Sequence, residues 1–141
     1  MKSKPKDVLK ALTASASNKG RYYFEEPNSA NLEKFASPLE RHCSIHIEIP
    51  EFTSLCPITG QPDYGKIVID YKPRDYCVES KSLKIYLMGY RQHGAFHEAC
   101  VERIFMDLYI LLKPLWLRVE GQFVPRGGVQ IWPVVEREAG K

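Results

Sequence analysis

Two stretches near the middle of the chain alternate apolar with polar side chains. Isoleucines take every second position within residues 44–52, and Ile67, Ile69 and Tyr71 repeat the alternation within residues 66–71. A period of two residues is that of a half-buried β-strand. The segment between them is rich in proline and glycine, so we predict that the two strands form an antiparallel hairpin.

Downstream, the hydrophobic period changes to that of a helix. Ser80 is a suitable N-cap for a first helix. Leu83, Leu87 and Tyr90 lie at helical spacing and would form its apolar face. We expect this helix to end near Gly94.

A second helix is predicted over residues 95–112. Pro114 ends it, because proline has no backbone N–H and its ring blocks a further turn. The predicted apolar stripe of this helix consists of Cys100, Ile104, Leu108 and Leu111.

Two more strands are predicted over residues 115–124 and 129–134, with residues 125–128 (Pro-Arg-Gly-Gly) as the turn between them. The order strand, strand, helix, helix, strand, strand indicates an α+β fold, in which a helix pair covers one four-stranded antiparallel sheet. The edges of such a sheet must be covered or paired. Subunits joined edge to edge would close a barrel, with active sites where loops of neighbouring chains meet.

Composition limits the class of protein. At 141 residues and 16.2 kDa, with 44% hydrophobic and 26% charged residues, the chain fits one soluble globular domain. We predict a lead-in over residues 1–40, one domain over 41–134 and a tail over 135–141. A net charge of +3 is too small to indicate a nucleic-acid binder by itself.

The chain is predicted to be cytoplasmic. Its basic start is not followed by the apolar core of a signal peptide, and its most apolar run, residues 104–117, is too short and too interrupted to span a bilayer. The cysteines are widely spaced, with no C-x-x-C pair, and are interpreted as free thiols in a reducing compartment. They are Cys43, Cys56, Cys77 and Cys100.

The predicted hairpin loop carries Cys56 and Asp63, a candidate nucleophile and a candidate proton carrier. Pro57, Gly60 and Pro62 restrict the backbone between them, so both groups could be presented with little freedom left to lose. Cysteine attacks as the thiolate, and a nearby acid can carry the proton. Taken alone, the loop favours a buried packing thiol beside a solvated aspartate over a catalytic pair, because free cysteine is among the residues most often buried.

His97 and Cys100 lie three residues apart, and with Cys56 they would make a Cys/His/Cys set of zinc ligands. The spacing matches neither H-E-x-x-H nor the deaminase pattern, and Cys100 belongs to the apolar stripe. We therefore predict no metal and interpret Cys100 as a core residue.

Three stretches resemble one enzyme family. They are FTSLCPITGQPD at residues 52–63, ESKSLKIY at 79–86 and GAFHE at 94–98, within a likeness that covers about residues 40–128. They are similar to the NADPH-dependent 7-cyano-7-deazaguanine reductases of queuosine biosynthesis, which have the tunnelling fold. The resemblance implies that fold here, and the predicted order of strands and helices agrees with it.

The resemblance also implies a mechanism. Cys56 would attack the nitrile carbon to give a covalent thioimide, and Asp63 would donate the proton. Hydrides from two NADPH molecules in turn would give the aminomethyl group, with no metal. The partners implied are a small-molecule deazaguanine nitrile and other copies of this chain, with no membrane and no direct nucleic acid.

The implied substrate-binding residues are Val78, Glu79, Ser80, His97 and Glu98. A carboxylate can accept two N–H groups from the edge of a guanine-like ring, which suits Glu79 and Glu98 as readers of the base. Without the family likeness, the preferred interpretations are an acid in the first turn of a helix for Glu98 and a capping or packing residue for His97; with it, substrate binding is preferred.

The implied cofactor-binding residues are Ser80, Lys81, Arg126 and Gly127. The chain has neither the Rossmann G-x-G-x-x-G pattern nor a P-loop, so NADPH would be held by cations and close backbone approach. Lys84 is a weaker candidate. Without a cofactor role, Lys81 and Lys84 would belong to a solvated helix face and Arg126 to a hairpin turn.

Two other functions remain open. One is a non-reducing relative, like an amidinotransferase, that transfers nitrogen to the nitrile of a deazaguanine-modified tRNA; such proteins lack the stretch at 79–86, which is intact here. The other is a non-catalytic nucleotide-binding module. The chain departs from the family at Trp132, where many relatives have an acidic residue before the proline.

Overall fold

The computed structural model describes residues 24–40 and 42–140. Within them the chain forms two α-helices, six strands and a 3-10 turn at Ser29–Asn31. In chain order the elements are β1 Lys34–Ala36, β2 Ile45–Leu55, β3 Pro62–Lys72, β4 Tyr76–Val78, α1 Ser80–Met88, α2 His97–Leu112, β5 Trp116–Phe123 and β6 Val134–Glu138.

The main sheet has four strands in the order β2-β3-β5-β6, all neighbours antiparallel. The predicted hairpin is therefore confirmed, with Ile47 opposite Ile69 and Ser54 opposite Asp63. The register shifts between Ile49 and Phe52, where β2 carries a bulge. The sequence predicts Asp63 in the connecting loop. In the structure it lies instead at the second position of β3.

A second sheet of two strands, β1 and β4, was not predicted. Phe35 lies opposite Cys77 in this antiparallel pair. Both strands have three residues, too few for an alternation to be recognised in the sequence. The pairing ties the segment assigned to a lead-in onto the domain; the division of the chain at residues 40 and 134 remains a prediction.

The core lies between α2 and one face of the main sheet. Every second side chain of β3 and β5 faces it, because alternate residues of a strand point to opposite sides. Burying each large apolar side chain contributes about 1.5–3 kcal/mol, which makes this interface the main stabilising layer. Fully buried members are Ile67, Ile69, Tyr71, Val101, Ile104, Leu108, Leu117, Val119 and Phe123.

Helix α1 begins and ends differently from the prediction. Glu79, not Ser80, is the N-cap: its carboxylate accepts from the backbone N–H of Lys81 (2.8 Å) and Ser82 (2.7 Å). The helix ends at Met88, six residues before Gly94, and turns follow it. A carboxylate caps as well as a hydroxyl does, and the two could not be separated by residue type.

Helix α2 begins at His97 and ends at Leu112, within the predicted range. Lys113 follows with φ 46°, a left-handed conformation that stops the helix just before Pro114. The helices are joined by the buried Tyr86 hydroxyl, which donates to the Asp107 carboxylate at 2.6 Å.

The last strand lies further along the chain than predicted, at Val134–Glu138 instead of 129–134. Residues 126–129 form a tight turn, in which Arg126 and Val129 exchange two backbone hydrogen bonds and Gly127 and Gly128 have φ of 54° and 79°. The turn therefore lies one residue further along the chain than the predicted residues 125–128. Pro133 has no backbone N–H to donate to a neighbouring strand, and β6 begins directly after it, at Val134.

No helix within the described ranges is long and apolar enough to cross a membrane.

Candidate active site

Cys56 is the first residue after β2, in a loop that is closed by its own backbone. The N–H of Cys56 donates to the Gln61 carbonyl at 2.8 Å, and the N–H of Gly60 donates to the Cys56 carbonyl at 2.9 Å. Gly60 has φ 70°, a left-handed conformation that favours glycine. The loop therefore fixes the direction of the Cys56 side chain.

The same loop stabilises the sulfur as an anion. The hydroxyl of Thr59 is the main donor, and the backbone N–H groups of Thr59 and Ile58 also donate to the sulfur. Together with a smaller contribution from Arg126, these hydrogen bonds outweigh burial and lower the pKa of Cys56 to about 6. At neutral pH the group is then mostly thiolate, the form that acts as a nucleophile.

Asp63 is almost completely buried, with 5% of its surface exposed. One carboxylate oxygen is ion-paired with the guanidinium of Arg126, which reaches it from the turn after β5. The other lies 3.3 Å from Nε2 of His97. That contact is not aligned as a hydrogen bond, and neither atom has a hydrogen-bond partner among the described residues.

The start of α2 is placed against Cys56 by the end of β2. The N–H of Leu55 donates to the His93 carbonyl (3.0 Å), and the N–H of Ala95 donates to the Leu55 carbonyl (3.1 Å). The His97 ring, two residues further on, stacks on the Phe123 ring with centroids 3.8 Å apart and planes at 3°. Burial lowers the pKa of His97, so its imidazole is neutral at pH 7.

These groups line one pocket of about 160 Å³, which we call the Cys56 pocket. Five of the residues singled out in the sequence meet there, although they come from a loop, a strand, a helix and a turn. The lining consists of Cys56, Pro57, Asp63, Phe96, His97, Glu98, Arg126, Val129 and Ile131.

A second, larger cavity of about 390 Å³ lies between β2 and α1, and we call it the β2–α1 groove. It contains Val78 and Ser80, which do not line the Cys56 pocket, and the weaker candidate Lys84. Its lining is otherwise largely apolar: Ile47, Ile49, Pro50, Phe52, Leu83, Leu87 and Met88, with Glu48, Glu51, Thr53 and Arg91.

Glu79, Lys81 and Gly127 line neither cavity. Glu79 uses both carboxylate oxygens to cap α1. Lys81 is exposed on the first turn of that helix, and Gly127 is exposed in the turn beside Arg126. Within one chain, the residues predicted for substrate and cofactor thus fall into two groups, one around Cys56 and one at the start of α1.

Sequence reasoning missed Thr59 and Phe123. Thr59 supplies the main hydrogen bond to the sulfur, and Phe123 supports the imidazole of His97. A hydroxyl three residues after the cysteine, inside a loop rich in proline and glycine, was a usable signal for Thr59. Phe123 gave none, because it looks like any other core residue of a strand.

Cys100 lies in the core, 1% exposed, as interpreted from its place in the apolar stripe. In the part of the chain that the structure describes, no group of three or more His, Cys, Asp or Glu side chains could hold a metal ion.

Comparison with known proteins links these residues to one family. The family model of the QueF-like proteins matches residues 62–141. An NADPH-dependent 7-cyano-7-deazaguanine reductase of Maricaulis maris (strain MCS10) is 52% identical over 107 residues, which are 76% of this chain and 70% of the relative. A protein of the same name from Helicobacter pylori (strain J99) is 52% identical over 132 residues, 93% of this chain and 86% of the relative.

A solved structure is similar in fold. The crystal structure of the archaeosine synthase QueF-Like in the apo form has a TM-score of 0.63 and covers 70% of this chain and 96% of its own. Its sequence identity of 19% supports a shared fold alone. The predicted tunnelling fold is thereby confirmed.

Proposed function

Because this chain belongs to the QueF-like protein family, together with the NADPH-dependent 7-cyano-7-deazaguanine reductases, we propose that Cys56 and Asp63 carry out its reaction. The enzyme reduces the nitrile of 7-cyano-7-deazaguanine to an aminomethyl group in queuosine biosynthesis, with NADPH as reductant. Two NADPH and two protons balance the reaction, since a nitrile takes up two hydrides and two protons to become an amine.

In the first step, the Cys56 sulfur bonds to the nitrile carbon, and one of the bonds between carbon and nitrogen becomes a lone pair on nitrogen. That nitrogen takes a proton and gives a neutral thioimide. The pKa of about 6 supports this role, because the nucleophile is already ionised before the substrate arrives. Asp63, in the same pocket, is the proton donor that we propose.

The thioimide splits a difficult reduction into easier ones. The first hydride adds to the carbon of the thioimide, and its collapse releases the thiolate and leaves an imine. The second hydride and the second proton give the aminomethyl product. This collapse regenerates Cys56 as a thiolate. The hydrogen-bond donors of the loop stabilise the thiolate, so they favour its release from the intermediate as well as its ionised state in the free enzyme.

Glu98 and His97 are proposed to bind the deazaguanine ring. Both line the Cys56 pocket, and Glu98 is exposed there on the first turn of α2. Its carboxylate can accept two N–H groups from the pyrimidine edge of the ring, each charge-assisted bond contributing about 1.5–3 kcal/mol. A neutral imidazole beside it is free to donate or accept.

The residues at the start of α1 are proposed to act across a subunit boundary from Cys56 and Arg126. Val78, Glu79 and Ser80 would contact the substrate, and Ser80, Lys81, Arg126 and Gly127 the NADPH. In one chain the start of α1 lines a different cavity from Cys56, so a second copy is the natural source of the missing contacts. Strands β2 and β6 are the edges of the main sheet and could pair between copies to form a barrel.

The observation that carries the proposal is a thiol with a lowered pKa beside a buried carboxylate in one pocket. Mixing the protein with 7-cyano-7-deazaguanine, without NADPH, should give one covalent adduct in an intact-mass measurement. The expected mass increase is that of the whole nitrile, because addition expels no leaving group. NADPH should then remove the adduct, and its absorbance should fall by two equivalents per nitrile.

The non-reducing relative remains the nearer alternative, because the archaeosine synthase shares the fold. It would form the same adduct with the nitrile but would consume no NADPH. A nucleotide-binding module would form no adduct at all. The same two measurements therefore separate all three functions.

We further propose a cytoplasmic location. Cys56 must remain a reduced thiol to react, and the cysteines of the described residues are free. Fractionation of cells that express a tagged chain would test this placement.

A further inference from the structure

Arg126 lies where its guanidinium can govern the chemistry of the Cys56 pocket. The turn that carries it is rigid, since Arg126 and Val129 exchange backbone hydrogen bonds of 3.0 and 2.9 Å. From there the side chain is ion-paired with Asp63, and it makes a small contribution to the lowered pKa of Cys56. A residue expected to bind cofactor phosphate is thus engaged with the nucleophile and the proton donor.

We propose that Arg126 controls the protonation of Asp63. Its guanidinium favours the ionised carboxyl while the cofactor site is empty, so little of Asp63 carries the proton that it donates, and that share rises when Arg126 leaves. Departure of Arg126 to the phosphates of the cofactor is the trigger. The inference rests on the proposed function, in which Asp63 protonates the nitrile nitrogen.

The surroundings of Asp63 make Arg126 decisive. The ionisable groups that face it are Cys56 from the loop, His97 and Glu98 from the start of α2, and Arg126 from the turn after β5. Two of these are anionic at neutral pH and oppose a third negative charge. His97 is neutral, because burial lowers its pKa. Among the described residues of this pocket, Arg126 is therefore the cation that offsets the buried carboxylate.

The Arg126 side chain has room to move away from Asp63. The Asp63 side chain is 4% exposed, whereas that of Arg126 is 50% exposed at the mouth of the pocket. A guanidinium binds phosphate oxygens as readily as it binds carboxylate oxygens. A phosphate near the turn therefore competes with Asp63 for the Arg126 guanidinium. Without its counter-charge, a buried carboxylate takes up a proton in preference to remaining charged.

The proton balance follows from this exchange. Asp63 takes its proton from solvent when Arg126 leaves. It passes that proton to the nitrile nitrogen as the Cys56 sulfur bonds to the nitrile carbon. The carboxylate that remains can pair with Arg126 again, which resets the pocket.

The test is the pH dependence of adduct formation, followed by intact mass with 7-cyano-7-deazaguanine and no cofactor. The rate requires ionised Cys56 together with protonated Asp63, so it should pass through a maximum and fall at higher pH, where little of Asp63 carries a proton. Arg126→Met should move the alkaline limb upward, because the carboxylate then loses the cation paired with it. Arg126→Lys should keep most of the wild-type profile. Arg74→Met, an exposed arginine in the turn between β3 and β4, is the matched control and should change nothing.

A second arm tests the trigger. NADP⁺ carries the phosphates but has no hydride to give, so adduct formation can still be measured in its presence. It should move the alkaline limb of the wild-type enzyme upward and leave that of Arg126→Met unchanged. A shift in Arg126→Met without a shift on adding NADP⁺ would overturn the cofactor as trigger.

Other outcomes overturn the inference as a whole. They are an Arg126→Met profile equal to that of wild type with only the KM for NADPH raised, or a loss of adduct at every pH in a variant with a native circular dichroism spectrum. Failure of the proposed function is distinguishable, because the wild-type enzyme itself would then form no adduct.

Discussion

The Cys56 pocket and the β2–α1 groove are built in opposite ways. The pocket encloses about 160 Å³ and gathers a thiol, two acids, an imidazole and a guanidinium. The groove encloses about 390 Å³ and is walled mainly by aliphatic side chains and Phe52, together with four charged side chains. Of these two cavities, the smaller one gathers the groups from which we expect reactivity.

Rigidity differs as well. The sulfur of Cys56 is held by a loop closed through backbone hydrogen bonds, so the nucleophile is preorganised in a single chain. The groove lies between an edge strand and α1, and carries Val78 and Ser80. We interpret the pocket as the complete reacting centre and the start of α1 as a surface that completes the site of another copy.

Removing the proposed nucleophile should have the largest effect. Cys56→Ala should form no adduct with the nitrile and consume no NADPH. Without the thioimide, hydride would have to add directly to the nitrile, which is the difficult reduction that the thioimide avoids. Cys43→Ala removes an exposed thiol outside the pocket and should keep both activities. Normal turnover by Cys56→Ala would show that the pocket is not the reacting centre.

A complementation experiment tests the division of the site between copies. Cys56→Ala lacks the nucleophile, and Lys81→Glu places a negative charge where phosphate is expected, so each should be inactive alone. If Cys56 of one chain works with Lys81 of another, co-expression of the two variants restores part of the NADPH consumption. A site contained in one chain predicts that the mixture stays inactive.

The fold was largely predictable because its elements are long and periodic. Strands β2 and β3 and helix α2 each extend over at least eleven residues, and their buried positions repeat with the period of the element. The errors fell where the signal is short or shared. Ser80 and Glu79 are both good caps, and the strands β1 and β4 are too short to show a period.

The site was predictable where chemistry depends on residue type, and not where it depends on geometry. Cys56, Asp63, His97 and Glu98 were chosen by motif and do meet. No pattern could indicate that Arg126 pairs with Asp63, since the two are neighbours only after β3 and β5 align.

Replacing the proposed proton donor should have the next largest effect. Asp63→Asn keeps the shape of the side chain but has no carboxyl proton to give, so turnover should fall by about 10²- to 10⁴-fold. Single-turnover adduct formation should fall with it, while the midpoint of Cys56 alkylation with pH changes little. An Asp63→Asn enzyme with wild-type adduct rates would assign proton donation to solvent or to His97.

Thr59→Val should have the smallest and most specific effect. Its hydroxyl is the main cause of the low pKa of Cys56, and valine has nearly the same shape without the donor. The backbone N–H groups of Thr59 and Ile58 remain, so we expect the pKa to rise by roughly one unit and not to return to that of a free thiol. The thiolate fraction at pH 6 would then fall from about half to about a tenth, and adduct formation at that pH should slow about fivefold. At pH 8.5 both enzymes are mainly ionised and their rates should converge. Alkylation by iodoacetamide in a Cys43→Ser background reports the same midpoint without the nitrile, and Thr59→Ser, which keeps the hydroxyl, should restore it. If Thr59→Val alkylates with an unchanged midpoint, the loop backbone alone ionises the nucleophile.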